Sequence, residues 1–181
     1  MYREVPRRWA LRLLHPKLVV LVVAKVKDKV NAMAASWCMP VSANPPLMVV
    51  SISPHRYTYK LMKASGKFTI NVMPLDKLKE VHLCGTLSGA EVDKIKAANL
   101  HTLESLKIET PGLEEAIAIL ECKLFKSVEA GDHVLFIGQI LAARVREDIF
   151  SKGTYSIDRV KLLYHLGGDK YTTTADYILK P

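Results

Sequence analysis

Only three cysteines occur in the sequence, Cys38, Cys84 and Cys122, and none stands near another. An odd, unclustered set excludes a disulfide framework and a Cys-x-x-Cys zinc site, and it fits a reducing, cytoplasmic setting. The six histidines are also scattered, with no pair at i, i+4 spacing and no His-Glu-x-x-His motif, so no metal is expected. Glycine-rich phosphate loops are missing: neither Gly-x-x-x-x-Gly-Lys-Ser/Thr nor Gly-x-Gly-x-x-Gly occurs, which removes the P-loop and the Rossmann dinucleotide fold. Long apolar runs are missing too. The N-terminal run LVVLVVA covers residues 18–24, whereas a bilayer span needs ~20 apolar residues, and no small-residue cleavage site follows it. No membrane partner is expected, and residues 1–16, with Arg7 and Arg8 ahead of Trp9, read as a basic N-terminal leader segment.

What is present is an apolar, basic chain. With 181 residues and 49% hydrophobic content it reads as one domain, 1–181, with enough apolar surface for a sizeable core. The formal charge of +8 points to an anionic partner, since a basic surface concentrates phosphates, nucleic acid or acidic lipid. Lys and Arg are spread along the chain beside 18 acids, without a solid basic block, so a merely solvated basic surface accounts for the charge equally well. A basic β-barrel binding nucleic acid would need exposed aromatics interleaved with cations on one sheet face. Aromatic residues make up 7% of the chain, and the candidate strands are mostly aliphatic, which ranks that alternative low.

Short, β-branched apolar runs bounded by turn residues predict strands at 18–24, 31–37, 47–53, 67–73, 116–126 and 133–145. The polar turn KDKV makes the first two a hairpin. Helical patterning predicts a short helix capped by Thr58 and ending before Gly66, and further helices over 76–83 and 91–100. The expected architecture is a mainly β, strand-dominated barrel with a few short helices. In SISPHRYT, Ser53, Arg56 and Thr58 precede a helix, where hydroxyls, a guanidinium and free N–H groups converge on one phosphate, or where Thr58 merely caps the helix and Arg56 lies in solvent.

The stretch NAMAASWCMPVSANPPL, residues 31–47, fits no ordinary element, because Pro45 and Pro46 forbid a continuous helix and a central strand. Extended through SISPHRYTYKLMKASGKFTINV, it resembles the core of the flavin reductase-like, FMN-binding split-barrel proteins, near the flavoredoxin branch. CGTLSGAEVDKI at 84–95, GDHVLFIGQI at 131–140 and LLYHLGGDKY at 162–171 continue the likeness in order, over roughly residues 20–171.

The resemblance implies a split antiparallel β-barrel, FMN as cofactor, NAD(P)H as electron donor and a homodimer sharing each flavin site. Small residues Ala34, Ala35 and Ser36 allow backbone to approach a flat ring, Trp37 offers an aromatic wall, and Met39–Pro46 is read as a rigid turn; by similarity Asn31 and Trp37 contact the flavin. Arg56 and Thr58 carry over as phosphate binders, with Ser53 beside them and Lys94 as a further cation, although a lysine on an amphipathic helix is ordinarily solvated. His133, opening a strand after the turn GD, corresponds to a histidine beside the isoalloxazine; a strand-end histidine bonded to backbone is the structural alternative. In LLYHLGGDKY the ring near the flavin is Tyr164 or His165, with Tyr164 preferred. Cys38, without a resolving partner, reads as a small apolar filler. The resulting function is an NAD(P)H-dependent flavin reductase or related oxidoreductase, or a flavoredoxin-like electron carrier without pyridine-nucleotide activity.

Overall fold

The computed structural model describes residues 1–179. Helix α1 (Arg7–Ala10) and a 3-10 turn (Leu11–Leu14) lead into the short strand β1 (Lys17–Leu18). Two antiparallel hairpins follow, β2 (Val20–Val26) with β3 (Lys29–Ala35) and β4 (Cys38–Ser42) with β5 (Leu47–Ile52). Then come helix α2 (Tyr57–Ser65), strand β6 (Lys67–Val72), helices α3 (Leu78–Thr86) and α4 (Lys94–Ala97), and the minor pair β7 (Thr102–Leu103) and β8 (Gly112–Leu113). The long hairpin β9 (Ala118–Ala130) and β10 (His133–Val145) is followed by β11 (Phe150–Ser151) with β12 (Thr154–Tyr155), and by β13 (Leu163–Gly167) with β14 (Lys170–Thr173). Among the described residues no helix is long and apolar enough to cross a membrane.

The principal sheet has seven strands in the order β3-β2-β6-β9-β10-β5-β4, each pair antiparallel. Its two edge strands, β3 and β4, are consecutive in the chain and separated only by Ser36 and Trp37. Three residue steps reach at most about 11 Å. The two edges are therefore drawn together at that point and the sheet curls into a barrel, while β3 and β4 do not pair with each other, which leaves the split.

Strand β2 shows why an unbroken apolar run belongs in the middle of this fold. Val20, Val22 and Ala24 pack with Phe68, Ile70, Cys122 and Phe136 and with Leu61 and Met62 of α2. The alternate residues Leu21 and Val23 pack on the opposite face with Val81 and Cys84 of α3. Both faces are buried, so the alternation of polar and apolar residues disappears; each such side chain contributes about 1.5–3 kcal/mol by leaving water. Close packing also dictates Gly138, where a Cβ would lie 2.4 Å from Phe68 Cζ. The buried Glu121 carboxylate accepts the N–H groups of Leu106 (2.8 Å) and Lys107 (2.7 Å), tying the loop before β8 to the sheet.

All six expected strands form, with altered limits. The second ends at Ala35, before Trp37, and the fifth continues to Ala130. The expected rigid turn over Met39–Pro46 begins as strand β4, and only residues 43–46 turn. Pro40 is accommodated because β4 is an edge strand, where a missing N–H breaks no ladder. The helix expected over 91–100 shrinks to Lys94–Ala97, capped by Asp93, whose side chain accepts the Lys96 N–H. Thr58 does not cap α2: Arg56 holds the cap position without a side-chain bond, and Thr58 turns inward.

Candidate functional site

Three adjoining cavities lie beside the split, and Arg56 and Gly85 line all of them. The first, about 180 Å³, lies between the start of α2, the loop after α3 and Lys94. Asn31, only 2% exposed, donates from Nδ2 to Thr58 Oγ1 at 2.7 Å, which ties β3 to the first turn of α2. A Cβ on Gly89 would fall 1.9 Å from Asn31 Oδ1, so only glycine lets the loop lie against that amide. No side chain caps α2, so its free N–H groups and its dipole are available to an anion.

Lys94 is the unexpected member of this chamber. It is 3% exposed, not solvated, and its ammonium donates to the Cys84 carbonyl at 2.8 Å. Among the described residues no carboxylate lies within ion-pair distance of it. Burial holds its pKa below the usual lysine value; the neighbouring Cys84 opposes this and the Arg56 charge adds to it. A buried cation without a counter-charge is costly, and an anion entering beside Arg56 relieves that cost.

The second cavity, about 450 Å³, runs along Ala34, Ala35 and Ser36 towards Trp37 and His133, with Ser53 and His55 beside Arg56. The Trp37 and His133 rings lie 4.8 Å apart at 34°. His133 Nδ1 is 2.7 Å from Asp132 Oδ1, and this bond holds the Asp132 carboxyl below its usual value. An Nδ1–H donated to the carboxylate leaves Nε2 as the other functional atom of the ring. Ser53 falls in this chamber and not in the Lys94 chamber, so it stands apart from Thr58 and Lys94.

The third cavity, about 270 Å³, is bounded by His82, His165 and Tyr171 and shares Ala34, Ala35 and Ser36 with the second. Between Tyr164 and His165 the sequence reading preferred Tyr164. Tyr164 packs against the barrel core and lines none of the three cavities, whereas His165 faces the third. Successive strand residues point to opposite faces, so one position decides which ring is presented. His82 and Tyr171 are additional residues that sequence reasoning missed; Tyr171 belongs to the stretch LLYHLGGDKY, but nothing local announces its approach to α3. Cys38 is a packed side chain whose thiol is pushed up to about 12 by burial. Among the described residues no cluster of metal-ligating side chains occurs.

The model of the flavin reductase like domain matches residues 11–173. The chain belongs to this family. A protein of Archaeoglobus fulgidus is 37% identical over 171 residues, covering 94% of this chain and 96% of that one. The FMN-binding protein of Thermus thermophilus, solved with 1-cyclohex-2-enone, superposes with a TM-score of 0.90 at 31% identity and covers 100% of this chain and 99% of its own. Flavoredoxin from Methanosarcina acetivorans gives a TM-score of 0.89 at 28% identity, covering 99% and 95%. This family member thus shares its split-barrel fold with FMN-binding proteins.

The Lys94 environment gives a pH signature. Its folded-state pKa lies below that of an exposed lysine, about 10.4, so the protonated form costs stability at neutral pH and the cost vanishes as pH rises towards the unfolded value. Ligand-free protein should gain stability relative to Lys94→Met across the alkaline range, and inorganic phosphate should flatten that gain. Urea unfolding at stepped pH measures both effects; parallel curves for the two proteins would show that burial does not penalise this ammonium.

Proposed function

We propose that the protein binds FMN across the first two cavities and passes electrons from NAD(P)H through it to an acceptor. The observation that carries this reading is the buried, carboxylate-free Lys94 ammonium in one chamber with Arg56 and the uncapped start of α2. That donor set suits a phosphate dianion. The adjoining slot beside the small residues Ala34–Ser36 suits a flat ring. FMN, when bound, supplies the hydride and electron chemistry.

The chain's own residues bind and orient. Arg56 and Lys94 neutralise the phosphate, and Thr58, tied to Asn31, holds the start of α2 in place against it. Asn31 contributes its amide beside the Gly89 backbone. Trp37 and His133 stand at the far end of the ring slot, where a nicotinamide approaches, and Asp132 holds the imidazole orientation. A flavoredoxin-like electron carrier would use the same FMN contacts; the likeness to the Methanosarcina acetivorans flavoredoxin keeps that second reading, and anaerobic reduction by NADH and NADPH separates the two.

A second copy of this chain completes the site in this reading. An apolar groove of about 590 Å³ beside Trp37 is lined by Leu11, Leu14, Met39 and Val41, which are 58%, 73%, 59% and 44% exposed. A rim of this kind is costly to leave in water, and a two-fold pairing covers it twice.

The phosphate assignment predicts that Arg56→Ala removes a charge-assisted contact worth ~1.5–3 kcal/mol, weakening FMN about tenfold or more while leaving riboflavin nearly unchanged. Fluorescence titration with both ligands decides it; equal losses would contradict the clamp. His133→Ala should slow stopped-flow reduction by NAD(P)H with FMN affinity and thermal stability near the parent, and an unchanged rate would remove its role. Light scattering on dilution should find a dimer that dissociates more readily once FMN is removed. A monomer holding FMN with undiminished affinity would rule out the shared site.

A further inference from the structure

The barrel end that carries the β2–β3 turn holds charge that the flavin reading leaves unused. A recess of about 350 Å³ lies there, lined by Lys25 and Lys27, by Ser65 at the end of α2, by Lys67 of β6, and by Glu109 and Thr110 from the loop before β8. None of these residues lines the three cavities beside the split. Lys67 pairs with Glu109, whose side chain is 74% exposed. That hydrogen bond first, then the Glu109 backbone and the Lys67 and Lys25 charges, hold the carboxyl below its usual range. Among the described residues no carboxylate lies within ion-pair distance of Lys25 or Lys27.

Folding stability alone does not account for these lysines. Lys67 stands directly opposite Lys123 in the β6–β9 register, and like charges in that relation destabilise a sheet. The β2–β6 register, ending at Ala24–Phe68, brings Lys25 next to Lys67 from the other side. Lys27 holds φ +52°, backbone that glycine or asparagine adopts more readily. Local rules broken together at one place point to a ligand, because natural sequences concentrate such violations at functional sites. The charge gives its class. Three ammoniums against one carboxylate leave a net +2, which a dianion matches and a monoanion half satisfies. Among the described residues no arginine and no aromatic ring lines the recess, so it offers neither a planar fork nor a stacking surface. Lysines acting as point charges suit a phosphoryl group. The carbonyl end of α2 opposes an anion, and Lys63 in its last turn offsets it.

We propose that this recess is a second anion site, separate from the FMN chambers, which takes a dianionic phosphoryl group between Lys25, Lys27 and Lys67. Glu109 is its internal competitor: the ligand takes Lys67 from the carboxylate, which is already exposed and turns to solvent without a change in burial. The Ser65 and Thr110 hydroxyls donate to the Lys67 carbonyl and hold that strand start in place. Nothing in this assignment depends on flavin.

Amide NMR of the full chain with FMN present tests this, with inorganic phosphate and glycerol phosphate as probes. Both should shift the amides of Lys27, Gly66 and Glu109, and acetate at equal concentration should not. Weaker binding of the monoester would make free phosphate the ligand; equal binding would make it a phosphoryl group in either form. Lys27→Gln should weaken phosphate about fivefold. Glu109→Gln should tighten it about fivefold, because the competing carboxylate is gone. Asp158→Asn, the same charge change at an exposed residue outside the recess, should leave it within about twofold. FMN affinity should stay within about twofold in all three variants. Phosphate affinity that is unchanged or weaker in Glu109→Gln overturns the site, as does undiminished affinity in Lys27→Gln or an equal response to acetate. Phosphate shifts confined to the amides around Arg56 and Lys94 would assign the anion to the flavin chamber and overturn the inference while leaving the flavin reading intact.

Discussion

The two-residue link Ser36–Trp37 is the constraint on which the rest of the structure depends. It joins the opposite edges of a seven-stranded sheet, so the sheet must curl until those edges approach. The same link leaves them unpaired, and the gap is where Ala34–Ser36, Trp37 and His133 line one cavity. A sheet edge is usually a liability. Here one edge, β3, is flanked by α3 and α4, and the other, β4, carries Pro40 and borders the apolar groove.

Charge distribution follows from that geometry. Most of the chain's positive charge is exposed and screened, but Lys94 is held under the loop after α3 with a carbonyl as its protein partner. Folding therefore places a cation where water cannot reach it freely and where Arg56 adds a second charge of the same sign. Such an arrangement is unfavourable in the empty protein and favourable around an anion. Stability and ligand binding are thus opposed at one residue, a common trade at functional sites.

The sheet was largely legible in the sequence because its signal is local. The run at 18–24, the hairpin turn at KDKV and the strands at 47–53, 67–73 and 133–145 carry the right residues at adjacent positions, and the structure shifts only their ends. Strands β1, β13 and β14 escaped notice because they are short and mixed in polarity; they form a separate sheet in which β1 pairs with β13 from the other end of the chain. Helix 91–100 was overread, since charged residues at helical spacing match a solvated face, whereas a single capped turn was enough to carry Lys94 inwards.

For the candidate site the division is similar. The chain alone placed Arg56 and Thr58 at the start of a helix after a strand, and put small residues beside Trp37, because these depend on neighbours within a few positions. It also carried enough ordered motifs to identify the family. Only tertiary structure decided that Thr58 binds Asn31 and does not cap α2, that Lys94 is buried, that His165 and not Tyr164 faces a cavity, and that His82 meets Tyr171. The physical reason is that each of these depends on where an element distant in sequence packs. Periodicity tells which side of a strand or helix is apolar, but not which other element will cover it.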